Sequence, residues 1–116
     1  MGIQAEDEAR ALKRYAFMLR LRPGAEAAYE ESHRAVWPEM LALLKSAGMR
    51  EYSIYRRGQM LILALRCRDF EESWSRIDNH PVNIRWQQTM APFFEPVTGV
   101  LPGERFAMLE EVFYLP

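Results

Sequence analysis

Met60-Leu61-Ile62-Leu63-Ala64-Leu65 is an unbroken run of apolar residues, and it determines which kind of sheet this chain builds. A short apolar run of this kind predicts a central strand that is buried on both faces. Residues 51–56 form a second strand-like segment, and Arg57-Gly58 between the two segments is typical of a turn. The sequence therefore predicts an antiparallel hairpin in the middle of the sheet.

The flanking segments complete an α+β pattern. Residues 13–22 alternate as a strand, and residues 105–115 predict a final apolar strand. Helices are predicted at residues 25–47, with a kink or fresh start at Pro38, and at residues 69–77 and 81–93. The order β-α-β-β-α(α)-β is the ferredoxin-like arrangement, a four-stranded antiparallel sheet with helices on one face.

Such a sheet has one face that the helices of a single chain do not cover. Apolar residues lie on both faces of the first and third predicted strands. We therefore expect a second copy to cover the open face, so that the protein is a homodimer. Residues 1–12 form a polar leader without an assigned function, and residues 13–116 form a single domain.

The composition argues against several classes of protein. The 15 basic residues balance the 16 acidic ones, so no charge pattern predicts binding to nucleic acid or to a membrane. Two histidines and one cysteine do not supply the ligand spacings of the common metal or haem sites. A single cysteine, without a secretory leader or a membrane-length apolar run, predicts a cytoplasmic protein.

His33 is the candidate for chemistry. On the predicted helix it lies one turn after Tyr29, on the stripe that faces the apolar interior. An imidazole can give and take a proton near neutral pH, and a neighbouring phenol can orient it or hold a substrate hydroxyl. The structural alternative is a core histidine hydrogen-bonded to a carbonyl or a hydroxyl group. Aromatic residues without a cationic clamp favour a neutral polyol, such as a sugar, as the ligand.

Several segments carry a resemblance to one family. They are Tyr29-x-x-x-His33-x-x-x-Trp37-Pro38-Glu39, Tyr52-Ser53-Ile54-Tyr55, Trp74, residues 86–90 and the ending Glu111-Val112-Phe113-Tyr114-Leu115-Pro116. Together they resemble the L-rhamnose mutarotase family over residues 13–116. The resemblance implies a dimeric ferredoxin-like α+β barrel that interconverts the α and β anomers of a 6-deoxy-hexose, first of all L-rhamnose, without a cofactor.

The resemblance also implies roles for individual residues. His33 matches the acid/base of the family, and Tyr29, Tyr52 and Trp86 match its sugar-contacting residues. Gln87 stands where the family commonly has a second tryptophan, and we expect it to bind the sugar through hydrogen bonds. A sister group that acts on L-fucose also lacks that tryptophan. The alternative prediction is therefore an L-fucose mutarotase.

Two further readings belong to other classes of function. The same fold is used by small monooxygenases and haem-handling proteins, for which only His33 and His80 could serve as axial ligands. A non-catalytic sugar-binding module would bind the ligand without exchanging its anomers. Oxygen or haem dependence marks the first of these, and binding without exchange marks the second.

Overall fold

A computed structural model of the protein describes residues 12–116. Residues 1–11 of the predicted leader lie outside this part of the chain. The elements follow in the order β1 (Lys13–Leu21), α1 (Glu26–Arg34), α2 (Pro38–Ser46), β2 (Arg50–Arg57), β3 (Met60–Cys67), α3 (Phe70–Ser75), α4 (Pro81–Met90), a 3₁₀ turn (Ala91–Phe93), β4 (Phe94–Glu95) and β5 (Ala107–Leu109).

The strands form one antiparallel sheet in which β3 lies between β2 and β1. Gly58 makes the tight hairpin turn between β2 and β3, and its φ of 59° is one that glycine adopts without strain. The other edge of β1 is shared by β4, which pairs at Arg20 and Leu21, and by β5, which pairs at residues 16–18. The two short strands together occupy the fourth position. The predicted α+β fold with a four-stranded sheet is confirmed.

The predicted final strand, residues 105–115, is wrong in its extent, because only Ala107–Leu109 pair with β1. The register of β5 on β1 brings Glu111 level with Arg14, and β1 begins at Lys13. Beyond residue 112 the chain extends past the first residue of β1, so this strand offers it no pairing partner. Residues 110–116 form an exposed end segment instead.

The helices begin where local signals predict. α2 starts at Pro38, whose missing N–H removes no helical hydrogen bond in the first turn. α3 follows Asp69, whose side chain accepts a hydrogen bond of 2.9 Å from the backbone N–H of Glu72. α4 starts at Pro81. No helix within residues 12–116 has the length and apolar composition needed to span a membrane.

All four helices contribute to one core on one face of the sheet. Along β3 the core side is buried, with Leu61, Leu63 and Leu65 each at most 4% exposed, while the alternate residues are only half-buried. The prediction that β3 is buried on both faces is therefore wrong for a single chain. On the open face, apolar side chains continue across the sheet in register, in the row Tyr55, Ile62, Met18 and Ala107.

Candidate active site

A cavity of about 720 Å³ opens between the helices and the core side of the sheet. Its size is that of a site for a small molecule. The cavity brings together all the site residues that the sequence predicts, namely Tyr29, His33, Tyr52, Trp86 and Gln87. They come from three separate elements, α1, β2 and α4.

Helix α1 places two aromatic rings side by side in the cavity wall. The ring of Tyr29, which is 4% exposed, lies 4.1 Å from the imidazole of His33 between centroids. Trp86 on α4 meets the same imidazole edge-on at 5.4 Å. The imidazole is thus held between a phenol and an indole, which limits its freedom to turn.

Hydrogen bonding at the end of α1 determines the tautomer of His33. Nδ1 lies 3.0 Å from the carbonyl oxygen of Tyr29 and 2.9 Å from Oγ of Ser32. A carbonyl oxygen can only accept, and Ser32 Oγ donates its own proton to the same carbonyl oxygen at 2.6 Å, so we assign the proton of the neutral imidazole to Nδ1 and the lone pair to Nε2. No side chain or backbone group of residues 12–116 hydrogen-bonds Nε2. The structural alternative, a histidine bonded to a carbonyl, therefore describes only one of the two ring nitrogens.

Burial shifts the pKa of His33 and the pKa values of the two tyrosines in opposite directions. Burial lowers the pKa of His33, and the hydrogen bond to the Tyr29 carbonyl offsets part of that effect. Burial raises the pKa of Tyr29 to about 12 and also raises the pKa of Tyr52. Both phenols therefore stay protonated at neutral pH. Of these three side chains, only the imidazole of His33 has a lone pair that can accept a proton at neutral pH.

The lowered pKa of His33 predicts the pH below which a reaction that needs its neutral imidazole slows down. The acid limb of kcat/KM is expected to have its midpoint below pH 6.5, the usual value for histidine. The folded state binds fewer protons than the unfolded state between the two pKa values, so acidification through that range also lowers stability. Rates from pH 5 to 8, corrected for the uncatalysed reaction, test this. A midpoint above 6.5 would contradict it.

An irregularity in β2 aims Tyr52 at the cavity. The pairing of β2 with β3 shifts by one residue between Arg50 and Ser53, and Glu51 adopts a φ of 48° there. A β-bulge inserts one extra residue and turns the following side chains to the other face. Without it, continuing the register of Arg50 would place Tyr52 on the open face. No glycine marks this bulge in the sequence, so the residue pattern of 51–56 does not predict it.

Trp86 and Gln87 follow one another on α4. Trp86 is 8% exposed and meets Trp37 edge-on at 5.0 Å as well as His33. Gln87 is exposed at the cavity, and its Nε2 donates a hydrogen bond of 3.2 Å to Oδ1 of the buried Asn83. Its side-chain oxygen makes no hydrogen bond within residues 12–116 and is available to a ligand.

The prediction of a neutral ligand relied on the lack of a cationic clamp, but two arginines line the cavity. Arg56 on β2 lines the cavity, and its Nε donates a hydrogen bond of 2.6 Å to Oε1 of Glu30 on α1. Arg34 also lines the cavity and pairs with Glu31. Each guanidinium is paired with a carboxylate, which reduces the net positive charge at the cavity. Alternate residues of a strand share one face, so the spacing of Tyr52 and Arg56 along β2 indicates that both side chains lie on the same face.

Within the part of the chain that the structure describes, no three His, Cys, Asp or Glu side chains come together as metal ligands. His80 is exposed and caps α4, where its Nδ1 accepts a hydrogen bond of 3.2 Å from the backbone N–H of Val82. It does not line the cavity that contains His33.

Comparison with known sequences identifies relatives of the chain. The sequence model of the L-rhamnose mutarotase family matches residues 14–115. The chain is 35% identical over 105 residues to an L-rhamnose mutarotase of Sinorhizobium medicae, and the match covers 90% of this chain and 99% of that protein. It is 34% identical over 109 residues to an L-rhamnose mutarotase of Shigella flexneri serotype 5b, with 89% and 98% covered.

Solved structures resemble the fold. The crystal structure of L-rhamnose mutarotase FA22100 from Formosa agariphila has a TM-score of 0.70 and 30% identity, and the match covers 90% of this chain and 99% of that one. Tetracenomycin F2 cyclase from Streptomyces glaucescens has a TM-score of 0.63 at 14% identity, with 90% and 97% covered. The second likeness concerns the fold alone.

Proposed function

Since the chain belongs to the L-rhamnose mutarotase family, we propose that it interconverts the α and β anomers of L-rhamnose, with His33 as the group that moves the protons. The protein is an isomerase that acts on a carbohydrate. We assign this activity to residues 13–116 acting as one domain. The observation that carries the role of His33 is the lone pair of Nε2, which has no hydrogen-bond partner among residues 12–116 and lies in a cavity of suitable size.

The reaction requires only proton transfers between oxygen atoms. A base removes the proton of the anomeric hydroxyl, the bond from the anomeric carbon to the ring oxygen breaks, and that oxygen gains a proton. Rotation about the C1–C2 bond and reclosure on the other face then give the second anomer. Nε2 of His33 can take the first proton and return it to the ring oxygen, since Nδ1–H stays bonded to the Tyr29 carbonyl.

The aromatic residues fit the binding of a sugar. With a pKa of about 12, Tyr29 remains a phenol and can donate a hydrogen bond to a sugar oxygen, and Tyr52 can do the same. The face of an indole such as Trp86 packs well against the apolar C–H side of a pyranose. We propose that these residues hold the sugar while the imidazole of His33 exchanges protons with it.

Saturation-difference NMR tests this function directly. Saturating the anomeric proton of α-L-rhamnose should reduce the signal of the β anomer when the protein is present, beyond the exchange seen in buffer alone. L-Fucose and related hexoses belong in the same panel, since transfer that is faster with L-fucose would reassign the sugar. Binding without transfer for every sugar would leave only a sugar-binding module.

Gln87 is proposed to contribute to the choice of sugar. Its side chain sits at the cavity beside Trp86 and offers a hydrogen-bond acceptor. Replacing Gln87 by Ala should lower kcat/KM for the preferred sugar by about three- to tenfold, the loss expected for one hydrogen bond. The neighbouring Gln88→Ala is the matched control, because Gln88 is exposed and does not line the cavity. Equal rates for Gln87→Ala and the parent would remove Gln87 from the site.

We further propose a homodimer in which a second copy covers the open face of the sheet. The row of apolar side chains across that face supports it, because a contiguous apolar patch in a soluble chain marks an interface. The exposed end segment supports it as well, with Val112 94%, Phe113 79% and Leu115 78% exposed. Arg14 holds this segment at the sheet edge through Glu111, at 2.7 and 2.8 Å, so it is well placed to reach a partner.

Sedimentation tests the dimer. The protein is expected to sediment at twice its chain mass of 13.6 kDa. Ile62→Glu puts a charge in the centre of the open face and should give a monomer, because a buried unpaired carboxylate is costly. Ile84→Glu makes the same change at a position on α4 that is 42% exposed, and it should stay dimeric. A monomeric parent protein would rule the dimer out.

A cytoplasmic location is proposed on the basis of Cys67. It is the one cysteine of the sequence, it is buried, and burial raises the pKa of its thiol, so it is poorly reactive. A protein without a disulfide suits a reducing compartment.

A further inference from the structure

Trp74 on α3 carries a polar atom that the proposed chemistry does not use. The residue is 6% exposed, and its indole packs edge-on against Phe106 at 5.4 Å and Phe17 at 6.4 Å. Its Nε1–H is buried and has no hydrogen-bond partner within residues 12–116. A buried donor without a partner is unfavourable, and buried indoles usually find one.

Packing alone does not explain a tryptophan at this position. The other rings of the cluster, Phe17, Phe70 and Phe106, carry no polar atom. A phenylalanine at position 74 would continue an apolar cluster without burying an unbonded N–H. The indole donor has no partner among the protein groups of residues 12–116, and a buried polar group of this kind calls for a specific explanation, such as a bound molecule that accepts the hydrogen bond.

The place of Trp74 indicates what supplies that partner. Trp74 lines the same cavity as His33. The rings in contact with Trp74 are different from those in contact with His33, which are Tyr29 and Trp86. A sugar whose anomeric hydroxyl contacts His33 has its other hydroxyl groups free to contact the part of the cavity wall that contains Trp74.

We propose that Trp74 is a substrate-binding residue whose Nε1–H donates a hydrogen bond to a ring hydroxyl of the sugar other than the anomeric one. This inference rests on the proposed mutarotase function. The sugar oxygen satisfies the buried donor, so the bound state gains a hydrogen bond that the empty protein lacks. The apolar rings around the indole exclude water, which strengthens that bond.

NMR of the indole N–H groups provides a readout that does not depend on catalysis. The protein has three tryptophans, so ¹⁵N-labelled protein gives three indole signals, assigned through the single variants Trp37→Phe, Trp74→Phe and Trp86→Phe. Saturating L-rhamnose should move the Trp74 indole proton downfield and slow its exchange with solvent. A Trp74 signal that stays in place while the other indole signals shift, or while anomer exchange proceeds, would overturn the inference and leave the function intact. Absence of both binding and exchange would overturn the function, and the inference with it.

Deoxy sugars separate a hydrogen bond from a structural effect. Trp74→Phe should weaken the Kd for L-rhamnose about three- to tenfold, as the loss of one neutral hydrogen bond does. With the monodeoxy analogue that lacks the recognised hydroxyl, the variant and the parent should have the same Kd, because the bond is absent in both. Equal weakening for every analogue would mean that the variant disturbs packing only, and it would overturn the proposal.

Discussion

Replacing His33 by Ala is expected to reduce protein-dependent exchange between the anomers of L-rhamnose by about 10²–10⁴-fold, the usual contribution of a positioned acid/base. The phenols cannot take over, because the raised pKa values of Tyr29 and Tyr52 keep both of them protonated at neutral pH. Sugar binding should survive, since the tyrosines and Trp86 remain. Saturation-difference NMR measures the exchange and calorimetry measures the binding.

The second histidine provides the control. His80 is exposed at the start of α4, outside the cavity, so His80→Ala should keep full exchange. Circular dichroism should show that the His33→Ala protein is folded, because the imidazole bonds only to Tyr29 and Ser32 of α1 among the residues that the structure describes. If the folded His33→Ala protein exchanges the anomers as fast as the parent, His33 has no part in the mechanism.

Replacing Phe17 by Ala is expected to lower the free energy of unfolding by about 3–5 kcal/mol, the range for deleting a buried phenyl ring. Phe17 is 1% exposed in the middle of β1 and stacks on Phe106 at 4.3 Å, with Phe70 edge-on at 5.6 Å. Sheet and helices hold these rings on several sides, so the space cannot collapse easily. A loss of this size is a large share of the stability of an ordinary domain.

Urea unfolding at a fixed protein concentration measures this loss, since association would make stability depend on concentration. Phe17→Leu serves as the graded control and should cost less, because leucine refills part of the volume. A loss below about 1 kcal/mol for Phe17→Ala, typical of an average substitution, would mean that this aromatic cluster does not hold the core together.

The cavity depends on where the long helical segment breaks. α1 ends at Arg34, and α2 starts afresh at Pro38. A continuous helix would carry Trp37 along the same axis as His33, but in the structure Trp37 precedes α2 and packs against Trp86. Because of this break, the indole of Trp37 contacts Trp86, and the imidazole of His33 lies at the cavity.

Local signals in the sequence were enough to locate most of the helices and strands. Alternation and apolar runs located β1, β2 and β3, and Pro38, Asp69 and Pro81 located helix starts, because each signal acts within one turn or one strand. Helical spacing also paired Tyr29 with His33. The reaction type is predicted by the resemblance to a family. Composition alone indicates only a neutral ligand such as a sugar.

Only the tertiary structure decided the features that depend on distant partners. The final strand pairs only over Ala107–Leu109: β4 occupies the edge of β1 at Arg20 and Leu21, and residues 110–116 do not pair with the sheet. The bulge at Glu51, the pairing of Arg56 with Glu30 and the unbonded indole of Trp74 each depend on residues far apart in the chain. Local propensity extends over a few residues, whereas these features follow from which surfaces meet when the helices pack on the sheet.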